Sequence, residues 1–282
     1  MRWLKQSALV LALLALSGCS SGLSFSQITL SSSETANPTQ VDEAYQTDLY
    51  TDVLSRYVDA SGLVNYTNLQ ADRTTLDQFN ASLGAVTVET YEAWDEAQKI
   101  AFLVNAYNSF TLQSIIDQTP LKSSIRDISG VWRGRKWAIA QQSKTLDEIE
   151  HQILRKEFNE PRIHAALVCA AISCPPLRGE VYTADRLDAQ LDDQVEQWLN
   201  GPHGLRIDRE AGRVYISAIF DWFGEDWIPT YGTDTGFTGN AKERAVLNFI
   251  SQYLEAGDRD YLQSGDYDLK YLDYDWALNT QP

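Results

Sequence analysis

The sequence is short of cysteine, of histidine and of positive charge, and it has no apolar run long enough to cross a bilayer. Each shortage narrows what the chain can do. The longest apolar run, Ala8–Leu16, covers nine residues, against about 20 for a membrane-spanning helix, so a permanent span is not expected. Lys and Arg number 23 against 39 Asp and Glu, a net charge of −16. A field of that sign repels phosphate backbones, and no nucleic-acid partner is expected. No repeat period is visible, which removes solenoid and propeller architectures from consideration. With three cysteines and three histidines, metal ligands are scarce. Glu148 and His151 stand three apart, as in di-metal carboxylate bundles, but those need the motif twice with two further carboxylates. No metal and no cofactor is expected.

What is present at the N-terminus has the layout of a secretory signal over residues 1–18: Arg2 and Lys5, the apolar run, then Ser17 and Gly18. Leu16-Ser17-Gly18-Cys19 resembles a bacterial lipobox, in which the thiol takes a diacylglycerol and the freed amine a further acyl chain such as palmitate. The expected partner is therefore a lipid bilayer, reached through acylated Cys19. Several acyl chains exceed the two signals that stable anchoring needs. Ser20 in place of Asp favours, by resemblance to Gram-negative sorting signals, the outer membrane facing the periplasm. Residues 19–40 are rich in Ser and Thr and read as a flexible tether with a reach of roughly 25 Å. Residues 41–282 are enough for one large core, and no second tether-like stretch divides them.

Helices are expected over Val41–Tyr57, Leu69–Leu83, Thr90–Gln118, Thr145–Phe158 and Thr183–Leu199, each from an apolar stripe at helical spacing. Pro120 ends the longest of them. Thr145 with Glu148, and Asn240 with Glu243, have the spacing of capping boxes. Val131–Ala140 suggests a hairpin turning at Gly134, with Trp132 and Trp137 flanking a basic tip. Gly204–Ile219 suggests a second hairpin, and Asp268–Asp275 a closing strand. Phe220, Phe223 and Trp227 share a helical face, an ordinary core stripe that is also compatible with a sugar-binding cleft. The fold class expected is α+β, a mostly helical single domain around a small antiparallel sheet.

Chemistry is expected in Arg162–Arg178, which joins a histidine, both remaining cysteines and a Cys-Pro-Pro turn. Asn105-Ala-Tyr-Asn108 in the long helix, Leu146–His151 with Arg155, Pro161–Cys169, Ser173-Cys174-Pro-Pro and Phe220-Asp-Trp-Phe together resemble the domain of unknown function 547 family, over roughly Tyr45 to Asn279. The resemblance implies a domain found in exported proteins and lipoproteins, and no particular activity, substrate or cofactor.

Read from the residues, the cysteines have several possible arrangements. A Cys169–Cys174 disulfide would close a short loop and contribute about 2 kcal/mol in the chain-entropy model. A thiol nucleophile at Cys174 would need His164 as base, with Glu150, His151 or Asn105 holding the imidazole, and would attack an amide or ester carbonyl as a hydrolase or acyltransferase. Cys169 is the poorer nucleophile, since in a strand or a helix it points away from His164. A metal held by both sulfurs and His164 lacks an evident fourth ligand. Two buried, inert thiols are the remaining arrangement. In the enzyme reading Asn108, Arg178 and Trp222 bind substrate, a peptide-like or cell-wall-derived molecule. The alternative is a non-catalytic binding or scaffold lipoprotein with an aromatic and acidic cleft, a structural disulfide and a peptide or glycan ligand.

Overall fold

The computed structural model describes residues 44–282, so the signal segment, Cys19 and the tether lie outside the described residues. The centre of the larger core is the helix Glu96–Ile116, here α5, which is buried almost all round from Ile100 to Ile116. Its composition explains that placement, since a helix apolar on every side can only be a core element. Asp95 and Gln98 form a reciprocal capping box at its start. That cap splits the expected Thr90–Gln118 helix into α4, Val88–Ala93, and α5. Buried hydroxyls along α5 bond back into their own helix: Ser109 to the Ala106 carbonyl, Thr111 to Tyr107, Ser114 to Phe110.

Three helices precede these: α2 (Tyr66–Ala71) and α3 (Thr74–Ala85) pack on α5, and α1 (Thr47–Tyr57) packs on α3 and α2. The first hairpin pairs β1, Trp137–Ile139, with β2, Gln142–Lys144. Its turn is at Ala140-Gln141, both in the left-handed region (φ 47° and 56°), and not at Gly134. Trp137 is buried and stacks on Phe110, and Arg135 covers the Trp137 ring and pairs with Asp117. Thr145 and Glu148 form the expected cap, but the helix it opens is a π-helix, Glu148–Leu154.

Arg162–Arg178 is mostly irregular. A single helical turn, α6 (Ile163–Ala166), gives way to extended chain. Ile163 and Ala166 belong to the α5 core, whereas Ala165 belongs to a second cluster built on Trp198, Phe220, Trp227 and Phe249. The segment is therefore the seam between the two clusters. Around the second are α7 (Leu187–Asn200), β3 (Leu205–Asp208), β4 (Arg213–Ile216), α8 (Ala218–Phe223), α9 (Ala241–Ser251) and α10 (Ala256–Ser264). Asn240 and Glu243 cap α9 as expected. The fold class is the one the pattern predicted, α+β and mostly helical. The second sheet is mixed: β3 and β4 are antiparallel, while β5 (Asp268–Tyr271) runs parallel to β4.

After β5 the chain returns to the seam. Ile172 N–H donates to the Ala277 carbonyl (2.8 Å), Ser173 N–H to Asp275 (3.2 Å) and Asn279 N–H to Ala170 (3.1 Å). Gly62 (φ 75°) faces the Cys-Pro-Pro turn, and a Cβ there would lie 2.6 Å from that of Pro176. Only glycine fits both the backbone angle and the space.

Candidate functional site

The seam opens on a cavity of about 650 Å³. Cys169 and Cys174 lie on its wall and are joined by a disulfide, with Cα atoms 6.3 Å apart. Tyr274, carried back by the C-terminal segment, places its hydroxyl 3.1 Å from each sulfur. A disulfide has no proton to give, so the phenol is the donor. Burial keeps the Tyr274 hydroxyl well above its ordinary pKa, helped by the negative charge of Glu150, so it stays protonated.

The π-helix supplies the opposite chemistry. Asp147, His151 and Arg155 are spaced by four and form a ladder. His151 Nε2 is 4.0 Å from Asp147, and Arg155 donates to His151 Nδ1 at 3.1 Å. Because a guanidinium only donates, His151 Nδ1 is the acceptor in this contact. Glu150, on the adjoining face, accepts the Tyr107 hydroxyl at 2.8 Å. Tyr107 is raised far above its usual pKa by burial and then by Glu150.

Arg155 continues outward to Asp226, binding both carboxylate oxygens (2.6 and 3.0 Å). His164 Nε2 reaches the same carboxylate at 2.8 Å. Burial would raise the Asp226 carboxyl, but the hydrogen bonds from His164 and Arg155 outweigh it and lower the pKa from 3.8 to about 2. The imidazole is 3% exposed and stacks on Phe223 (4.8 Å) and Trp227 (5.0 Å). Much of the remaining wall is aromatic. Trp222 stacks on Trp276 at 5.9 Å, Trp132 meets Trp276 edge-on at 6.2 Å, and Tyr274 packs on both Trp222 and Trp276.

Of the predicted site residues, Cys169, Cys174, His164, Glu150, His151 and Trp222 line this cavity. Several roles are corrected. The disulfide leaves Cys174 without a thiolate, and the partner of the His164 ring is Asp226, so the Cys/His nucleophile pair does not form. Glu150 and His151 do not hold the His164 ring, because their bonds go to Tyr107 and Arg155. Asn105 lies outside the cavity with both amide ends occupied, donating to the Tyr182 carbonyl and accepting from its N–H. Asn108 does the same for Ala166 and Val168, so it fixes the seam and does not face a substrate. Arg178 is bound to Glu180 and Asp193, away from the cavity. Among the described residues, no group of three His, Cys, Asp or Glu side chains is arranged to hold a metal ion.

Sequence reasoning missed Asp226, Tyr274, Tyr107 and Arg126. Asp226 was in view within the Phe220–Trp227 aromatic run, where an acid between buried rings is a signal that it has a partner. Tyr274 had no local signal.

No curated protein and no solved structure matches the chain. The stretch that does match a family model, residues 91–199, holds α5, the π-helix and the disulfide loop but neither Asp226 nor Tyr274. Over that stretch the chain is similar to the family described as protein of unknown function, DUF547.

Proposed function

We propose that the chain is a cell-envelope lipoprotein, held on the outer membrane by acylated Cys19, whose cleft binds a peptide-like or cell-wall-derived ligand bearing a free carboxylate. The observation that carries this reading is Arg126. Its guanidinium lies over the Trp276 ring at 5.2 Å on the cavity wall, and among the described residues no carboxylate pairs with it. A cation already stacked on an aromatic face is preorganised for a carboxylate, because its planar fork still has donors to offer. Trp222, 45% exposed, and Trp276 offer flat apolar faces to a sugar ring or side chain beside it. Glu150 supplies the opposite charge deeper in the cleft. A concave, largely aromatic site with few convergent polar groups is the usual form of a small-ligand pocket.

The test is a titration of the full chain with N-acetylmuramyl dipeptide, read by tryptophan fluorescence. Saturable quenching is expected, with affinity falling about tenfold in Arg126→Ala, the loss of one charge-assisted hydrogen bond. Trp276→Ala should weaken binding as well. Absence of saturable quenching, or unchanged affinity in both variants with native circular dichroism, overturns the proposal.

A further inference from the structure

We infer that Cys169–Cys174 is an exchangeable disulfide, which accepts two electrons from thiol compounds that enter the cleft. The inference rests on the surroundings of the sulfurs and stands apart from the identity of the carboxylate ligand.

Three observations carry it. The bond lies on a cavity wall, not in a sealed core. Its two residues are unlike: Cys169 is partly exposed, whereas Cys174 is 7% exposed. One donor singles out the buried one: Cys174 Sγ accepts the Cys169 N–H at 3.0 Å, while the Tyr274 hydroxyl lies 3.1 Å from both sulfurs and can serve the one that leaves. A neutral disulfide sulfur is a weak acceptor and gains little from two donors. A departing thiolate gains much more, because bonds to an ionised acceptor are about twice as strong.

The arrangement assigns a direction to the exchange. An incoming thiolate attacks the sulfur of Cys169, the more exposed of the two residues. The S–S bond breaks, and its electron pair leaves on Cys174, which is held as thiolate by the Cys169 N–H and the Tyr274 O–H. The compound is now joined to Cys169 in a mixed disulfide. A second thiolate of the same compound attacks its own bound sulfur, which releases Cys169. The two thiol protons pass to Cys169 and Cys174. The dithiol is oxidised to a disulfide and the protein's disulfide is reduced to two thiols.

The loop does not depend on the bond for its shape. Ile172 and Ser173 donate to Ala277 and Asp275, and Ala170 accepts from Asn279. Reduction therefore leaves the sulfurs facing each other, ready to re-form the bond.

The experiment treats the folded full chain with reduced glutathione and, separately, with dithiothreitol, quenches by alkylation, and maps the modified cysteines by peptide mass. Dithiothreitol is expected to yield two free thiols while the near-ultraviolet circular dichroism stays native. In Cys174→Ser, glutathione disulfide should load Cys169 in the folded state. Tyr274→Phe should slow native reduction about tenfold, the loss of one charge-assisted bond to the leaving sulfur, with an unchanged rate in the unfolded chain. Reduction that occurs only on unfolding overturns the inference, as does glutathione carried on Cys174 of the wild type, or an unchanged rate in Tyr274→Phe. Dithiothreitol has no carboxylate and so does not use the proposed ligand contact at Arg126; its exchange is read apart from ligand binding, and the two failures are separable.

Discussion

Replacing Asp226 by Asn removes one charge from between Arg155 and His164 with almost no change of shape. The effect follows from the carboxyl's own titration. In the folded protein its pKa is about 2, against an ordinary 3.8, a difference of about 2 kcal/mol of stability. Only 23% of the side chain is exposed, so solvent screens the pair incompletely. The sign is that of a depressed acid: the stability is fully present above about pH 4 and is lost as pH falls towards 2. The neutral amide of the variant would imitate the protonated acid at every pH. Urea unfolding, followed by tryptophan fluorescence from pH 7 down to pH 2, should therefore show Asp226→Asn about 2 kcal/mol less stable at neutrality. The two stability curves should converge near pH 2. Parallel curves, or equal stability at pH 7, would refute the claim that Asp226 is held ionised by its two partners.

Two further substitutions address the frame of the site. Asn108→Ala should cost about 2–5 kcal/mol in urea unfolding, because the buried Ala166 carbonyl and Val168 N–H both lose their partner; a loss below about 1 kcal/mol would mean that water replaces the amide. Gln141→Gly should stabilise the chain by about 0.5–1 kcal/mol, seen as a higher melting temperature. Gln141 is exposed with φ 56°, a region that a side chain disfavours and glycine does not.

Local signals in the sequence were read well, and non-local ones hardly at all. The caps at Thr145 and Asn240 form because each needs only residues three apart. The cap at Asp95 has the same spacing to Gln98 and was equally legible, yet the apolar pattern ran across it. The segment Arg162–Arg178 could be singled out from its residue types, and six predicted site residues do line one cavity. Their partners could not be read. Asp226 is 62 positions from His164, and Tyr274 is 100 from Cys174, distances over which periodicity carries no information. The amides of α5 show the same limit. Polar residues in an apolar helix announce that partners exist, and only the fold reveals that Asn105 and Asn108 each grip a passing backbone.

The hydrogen bonds that bring the C-terminal segment against the disulfide loop join positions far apart in the chain. Ser173 meets Asp275 across 102 residues, and Tyr66 meets Asn279 across 213. Closing loops of that length costs entropy before any contact repays it, which places this wall among the slow steps of assembly, after helices such as α5 can form on their own. The same reasoning runs backwards. A fluctuation that peels this strip away uncovers both sulfurs and removes the tyrosine, while the helical core beneath keeps its packing.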